Sequence, residues 1–320
     1  MPVGISSHTL QADERRVRRG TGTPEGLRRF VKDFADTPPR TGFALVCGLE
    51  IDELPPTPQT HSPGVLSGHS STEYLMVVGG LLGSLVGYAG EKSGALVHDV
   101  HAVRGEESRI ENSGSTDFGF HTENVHHPLR PDFLGLLCLR QDHDGLGTTQ
   151  LSSIREAVDS LPARTVNVLR ARQFVSLYPT SFTRGAAGPR PESEPHPVVF
   201  GEAPDLFMRF NVHNTRALDS AGDAALHELA VALGLVCHRV LLEPGDLVLI
   251  NNHIAAHGRS AFTPRYDGRD RWLRRFYSLA NIPEWAERIM ARPHVIPPVS
   301  DVHRAQPVAI SSRSPLIIPR

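Results

Sequence analysis

Behind Thr23-Pro24-Glu25, apolar residues recur at helical spacing at Leu27, Phe30, Val31 and Phe34, until Thr37-Pro38-Pro39 ends the pattern. A threonine cap with proline at the first helical position predicts a helix beginning at Pro24. Phe43-Ala44-Leu45-Val46 reads as a short strand. A strongly apolar helix is predicted from residue 72 to about 86, ending near Gly87. Strand patterns follow at 95–101, 117–123, 133–140, 206–212, 245–250 and 272–279. Ser153-Ile154-Arg155-Glu156 fits a capping box at the start of a short helix. The longest helical stretch runs from 219 to about 240, with Leu226, Leu229, Ala230, Leu233 and Cys237 on one side.

Polar segments divide these elements. Residues 1–22 read as a flexible N-terminal arm and 293–320, rich in Pro, Ser and Arg, as a weakly ordered tail. Between them, 23–292 reads as one domain with lid loops near 50–71, 104–115 and 184–196. Many short strands with helices inserted late do not make the regular alternation of a Rossmann fold or TIM barrel. The expected class is mainly β with flanking helices (α+β), an antiparallel sandwich or barrel core. G-x-G-x-x-G, P-loop and G-x-S-x-G motifs are all absent.

Composition narrows the function. With 39% hydrophobic and 21% charged residues over 320 positions, the chain folds, and global disorder is excluded. A net charge of −2 argues against nucleic acid or an anionic membrane as the main partner. No run of 18 apolar residues is present. Three widely spaced cysteines, Cys47, Cys138 and Cys237, point to reduced thiols and a cytoplasmic location, with neither a disulfide framework nor a Cys-rich zinc site. Seventeen histidines are the unusual number, and their placement decides whether any holds a metal.

His121-Thr122-Glu123 closes a strand pattern, where residues i and i+2 share a face, so an imidazole and a carboxylate are presented together. His257 follows an apolar strand by a short turn. Two histidines and a carboxylate on one face of a metal form the triad of non-heme Fe(II) oxygenases, with sites left open for a co-substrate and dioxygen. An H-x-E triplet alone also reads as a partly buried strand histidine. Arg271 lies fourteen residues past His257 at the start of a strand. Its planar fork suits the distal carboxylate of 2-oxoglutarate, although the Arg-rich run around it also reads as a basic surface hairpin.

With these residues in place the sequence resembles the clavaminate synthase-like branch of the Fe(II)/2-oxoglutarate dioxygenases. The likeness runs through Phe120-His121-Thr122-Glu123, His127-Pro128-Leu129-Arg130-Pro131, Glu243-Pro244-Gly245-Asp246, His257-Gly258-Arg259-Ser260 and the segment 264–273. It covers roughly residues 72–282. The resemblance implies a double-stranded β-helix (jelly-roll) core, with His121, Glu123 and His257 as iron ligands. It makes Arg271 the anchor of the 2-oxoglutarate carboxylate and places the Thr149 hydroxyl on the same group. It implies Fe(II), 2-oxoglutarate and dioxygen as cofactor and co-substrates. The substrate it implies is a small amino-acid-like molecule, free or carrier-tethered, hydroxylated at an unactivated carbon, as in relatives from antibiotic pathways.

In the branch's arginine hydroxylases, two acidic residues two positions apart grip the guanidinium. The matching positions here are Asn211 and His213, which favours a neutral amide, ureido or hydroxyl side chain. Arg274 and Arg275 serve as control positions for Arg271, and His98, His101, His126, His127 and His143 read as structural or exposed. A zinc hydrolase built on the same His/Glu/His set and a non-catalytic jelly-roll binding protein stand as alternatives. Neither gives Arg271 a role.

Overall fold

A computed structural model describes residues 24–61, 66–107, 109–179 and 190–306. The larger sheet holds seven strands: β1 (Phe43–Val46), β2 (Ser84–Tyr88), β3 (Val97–His101), β5 (Phe133–Arg140), β12 (Leu247–Asn251), β14 (Trp272–Leu279) and β15 (Val295–Ile296). The smaller sheet runs β11 (His238–Val240), β6 (Thr149–Ser153), β13 (Ala255–Arg259), β4 (Phe118–His121). Leu151 and Ala255 of the smaller sheet share one buried core with Leu134, Leu136, Val248, Ile250 and Leu273 of the larger. The two sheets thus close on each other as the expected jelly roll.

β5 explains its own unbroken apolar run. Leu134, Leu136 and Cys138 face that inner core. Phe133, Leu137 and Leu139 face outward, under helices α1 (Pro24–Asp36) and α2 (Ser70–Leu82). A strand covered on both faces shows no polar alternation. A third apolar cluster joins α4 (Ile154–Ala157), α5 (Ala163–Arg170) and α6 (Ser220–Leu235) to the short strands β7 (Phe174–Ser176), β8 (Val199–Glu202), β9 (Asp205–Met208) and β10 (Thr215–Ala217). Short helices α3 (Ile110–Ser113), α7 (Glu284–Glu287) and α8 (Val299–Ala305) complete the chain.

Several boundaries differ from the sequence pattern. The apolar run beyond residue 72 divides into α2 and β2. The break is Gly83, whose φ is +146 and where a Cβ would lie 2.2 Å from the Leu279 carbonyl oxygen. α6 begins on its Asp219 cap, which accepts the Gly222 N–H, but ends at Leu235, so Cys237 leads into β11. Residues 293–306 are no loose tail. β15 pairs in parallel with β2, and Val295, Ile296, Val299 and Val302 are buried. Proline density hid this, because Pro293, Pro297 and Pro298 bracket the apolar positions.

The stretch 54–59 of the first expected lid is stitched to the 266–270 turn, with buried Thr57 bonded to the backbone of Gly268 and Asp270. The second expected lid contains α3. The N-terminal arm, residues 184–189 of the third loop and 307–320 lie outside the described residues.

Two histidines that do not line the cavity set an acid limit on stability. Nδ1 of buried His127 accepts the Leu129 N–H. In buried His196, Nδ1–H donates to the Pro197 carbonyl and Nε2 meets Ser176 Oγ. Burial pushes both pKa values down to about 3. The native state therefore binds fewer protons than the unfolded chain, whose imidazoles titrate near ~6.5. Their stabilisation is complete above that pH and falls below it, by about 1.4 kcal/mol per pH unit for each ring. The urea midpoint is expected to drop between about pH 7.5 and pH 5.5. A midpoint that stays constant would contradict the neutral burial of these rings.

Candidate active site

β4 and β13 are paired neighbours, and their register sets His121 directly opposite His257. The two rings lie 4.2 Å apart between centroids. Glu123 follows just past β4, in a turn whose next residue, Asn124, takes a φ of +50. Asparagine tolerates that left-handed conformation better than most residues. Buried Asn252 clamps the turn: its Oδ1 accepts the Glu123 N–H at 2.7 Å, and its Nδ2 donates to the carbonyls of Glu123 and Pro131. Glu123 Oε1 thereby lies 3.5 Å from His257 Nε2. One ligand atom from each of His121, Glu123 and His257 falls within 4.8 Å of the others, and all three residues are buried.

The protonation states suit a divalent cation. His121 donates Nδ1–H to the Gly119 carbonyl at 3.0 Å, which leaves Nε2 with a free lone pair. Burial, with help from His257, lowers the His121 pKa to about 3, so the ring is neutral. Burial works against the Glu123 carboxylate, but the Arg275 guanidinium, the hydrogen bond with His257 and the field of both imidazoles together outweigh it and hold that pKa well below the usual range. The neutral His121, the facing His257 imidazole and one carboxylate fit a facial metal site with open positions.

Arg271 and Thr149 come together as expected. Arg271 is buried, donates Nε–H to the Gly147 carbonyl at 3.0 Å, and places Nη2 3.3 Å from Thr149 Oγ1. It forms no ion pair among the described residues. Both the triad and this pair line one cavity of about 1070 Å³.

Asn211 and His213 line the same cavity, and Asn211 bridges to His121 across the sheet edge. The Asn211 side chain is also a turn cap: its Oδ1 accepts the backbone N–H groups of His213 and Asn214 at 2.9 and 3.1 Å. Only Nδ2 is left for a ligand. His213 Nε2 accepts the Gly119 N–H at 3.3 Å, and its ring stacks on Phe118.

The sequence reading missed Arg275 and treated it as a control. Its Nη1 lies 2.5 Å from Glu123 Oε1, and its Nη2 lies 2.6 Å from Glu91 Oε1 and 3.3 Å from His98 Nδ1. Arg275 lies on β14 four residues past Arg271, which directly precedes that strand, and both line the cavity. That spacing was the available signal. His98, also read as structural, lines the cavity and donates Nε2–H to the Ala95 carbonyl.

Residues 59–277 match the family described as taurine catabolism dioxygenase TauD, TfdA family. The chain belongs to this family. The dioxygenase is 36% identical over 263 residues to the L-asparagine oxygenase of Streptomyces coelicolor, covering 81% of this chain and 77% of that protein. It is 33% identical to clavaminate synthase 2 of Streptomyces clavuligerus, over 79% of each chain. Among solved structures, asparagine oxygenase with Fe(II), 2S,3S-3-hydroxyasparagine and succinate matches at a TM-score of 0.77 and 34% identity, covering 86% of this chain and 85% of that one. The non-heme iron oxygenase OrfP with Fe and alpha-ketoglutaric acid matches at 0.73 and 27%, over 85% and 86%. The dioxygenase works with Fe(II), 2-oxoglutarate and dioxygen, which sets aside the zinc-hydrolase and non-catalytic readings.

Proposed function

We propose that this oxygenase hydroxylates an unactivated carbon of a free amino acid whose side chain ends in a hydrogen-bond-accepting oxygen. His121, Glu123 and His257 hold the iron, and Arg271 with Thr149 receives the distal carboxylate of 2-oxoglutarate. The convergence of triad and unpaired arginine in one cavity carries this reading. When bound, the iron couples oxidation of 2-oxoglutarate to succinate and carbon dioxide with transfer of the second oxygen atom of dioxygen to a substrate C–H bond. Arg271 fixes the co-substrate's far end. Arg275 holds Glu123 in place, and the neutral His121 presents Nε2 without competing protons.

The substrate class follows from charge. Among the described residues three carboxylates line the cavity, Glu91, Asp99 and Glu123, and each is already in an ion pair with Arg275 or Arg274. Residues 180–189 contain no acid. A guanidinium or ammonium at the end of the substrate would be buried without a partner, at a cost of several kcal/mol. Asn211 Nδ2 instead donates to an amide, ureido or carboxylate oxygen. Solved relatives in complex with 2S,3S-3-hydroxyasparagine and with L-Arg support a free amino acid over a carrier-tethered one. Cys47, Cys138 and Cys237 form no disulfide among the described residues, which fits a cytoplasmic location, and no described helix is long and apolar enough to cross a membrane.

A succinate-release screen tests the assignment, with asparagine, glutamine, citrulline and aspartate set against arginine, lysine and ornithine. Asn211→Asp sharpens it, because a carboxylate still caps the turn but cannot donate. The variant is expected to turn over the native substrate more slowly. It should also shift preference toward arginine or lysine by at least tenfold, about 1.4 kcal/mol. Efficient wild-type turnover of a cationic amino acid overturns the side-chain assignment.

A further inference from the structure

Arg259 ends β13 two residues past His257, and its register partner on β6 is Thr149. Cross-strand partners share a face, so Arg259 enters the same end of the cavity as the Thr149–Arg271 pair. Both guanidinium groups lie near the ring of Phe262, with Cζ at 5.4 Å for Arg259 and 6.0 Å for Arg271. Neither forms an ion pair among the described residues, and Arg259 Nε is buried without a hydrogen-bond partner. Two neighbouring cations without an ion-pair partner, Arg271 buried and Arg259 half-buried, repel each other, and a dianion relieves that repulsion.

Arg259 also reaches the second expected lid. Its Nη2 donates to the Thr116 carbonyl at 2.9 Å and to the Ile110 carbonyl at 3.3 Å. The segment rests on the same stretch of chain, with the Phe262 N–H bonded to the Gly114 carbonyl and the Ala261 N–H to Asp117 Oδ1.

We propose that Arg259 is a positioning residue that couples binding of the 2-oxoglutarate dianion to closure of segment 109–117 over the cavity. The proposal rests on the reading that Arg271 receives the co-substrate. An anion held by Arg271 removes the repulsion on Arg259, whose N–H groups then hold the two lid carbonyls more firmly. The coupling runs both ways, so a fastened lid retains the co-substrate.

Hydrogen exchange across 109–117, measured anaerobically on Fe(II)-loaded protein with and without 2-oxoglutarate, tests it together with calorimetric 2-oxoglutarate affinity. In the wild type, 2-oxoglutarate is expected to slow exchange there several-fold. Arg259→Gln should bind 2-oxoglutarate about tenfold more weakly and show no added protection. Arg259→Lys keeps the charge without the fork and should recover part of the affinity but not the protection; it also serves should the glutamine variant fold poorly. Wild-type protection in Arg259→Gln overturns the coupling. If Arg271→Ala also leaves 2-oxoglutarate binding intact, the reading of the co-substrate end fails instead.

Discussion

His257→Ala and His121→Ala are each expected to abolish succinate release, with iron and 2-oxoglutarate in excess, while the protein remains folded. The imidazoles face each other at 4.2 Å across paired strands, and each contributes one of three donor atoms. Loss of an outer partner of a metal ligand alone costs about 10–100-fold in affinity or activity, and loss of a ligand costs more. Folding survives because β13 stays laddered to β6 on one side and β4 on the other. Circular dichroism and an iron titration accompany the activity assay. Wild-type 2-oxoglutarate decarboxylation by either variant rules out the triad.

Arg271→Ala raises the 2-oxoglutarate requirement strongly. Removing one partner of a buried charge-assisted contact costs roughly 2–5 kcal/mol, or about 30-fold to several thousand-fold in apparent affinity. Thr149 Oγ1 stays in place and retains a fraction of the binding. Arg275 cannot act as the control, since its guanidinium is joined to Glu123 and Glu91 and its loss would take that cation from one buried and one partly buried carboxylate. Arg265 is suitable, because its pairing with Asp144 is exposed. The measurement is succinate release against 2-oxoglutarate concentration. An Arg271→Ala curve that overlays the wild type places the carboxylate anchor elsewhere.

Much of the site was legible in the chain because its signals are local. His121 and Glu123 are two residues apart, Arg271 opens a strand at a fixed distance from His257, and the Ser153 and Asp219 caps act within three residues. Such features depend on backbone geometry over a few positions, and that geometry follows from residue type. The strand 272–279 was placed correctly for the same reason.

What the tertiary structure decided lies in partnerships across long sequence separations. Arg275 meets Glu123 from 152 residues away and Glu91 from 184, so nothing near it in the chain revealed its work. Asn211 was read as facing a neutral amide, ureido or hydroxyl side chain, but the fold commits its oxygen to two backbone N–H groups and leaves only the amide nitrogen. Val295 and Ile296 form a strand only because β2 offers a free edge, and their flanking prolines point locally the other way. Local propensity chose the elements and the metal-binding residue types. Hydrogen bonds and charge pairs that close only in the folded chain determined which of those residues face the cavity with an atom to spare.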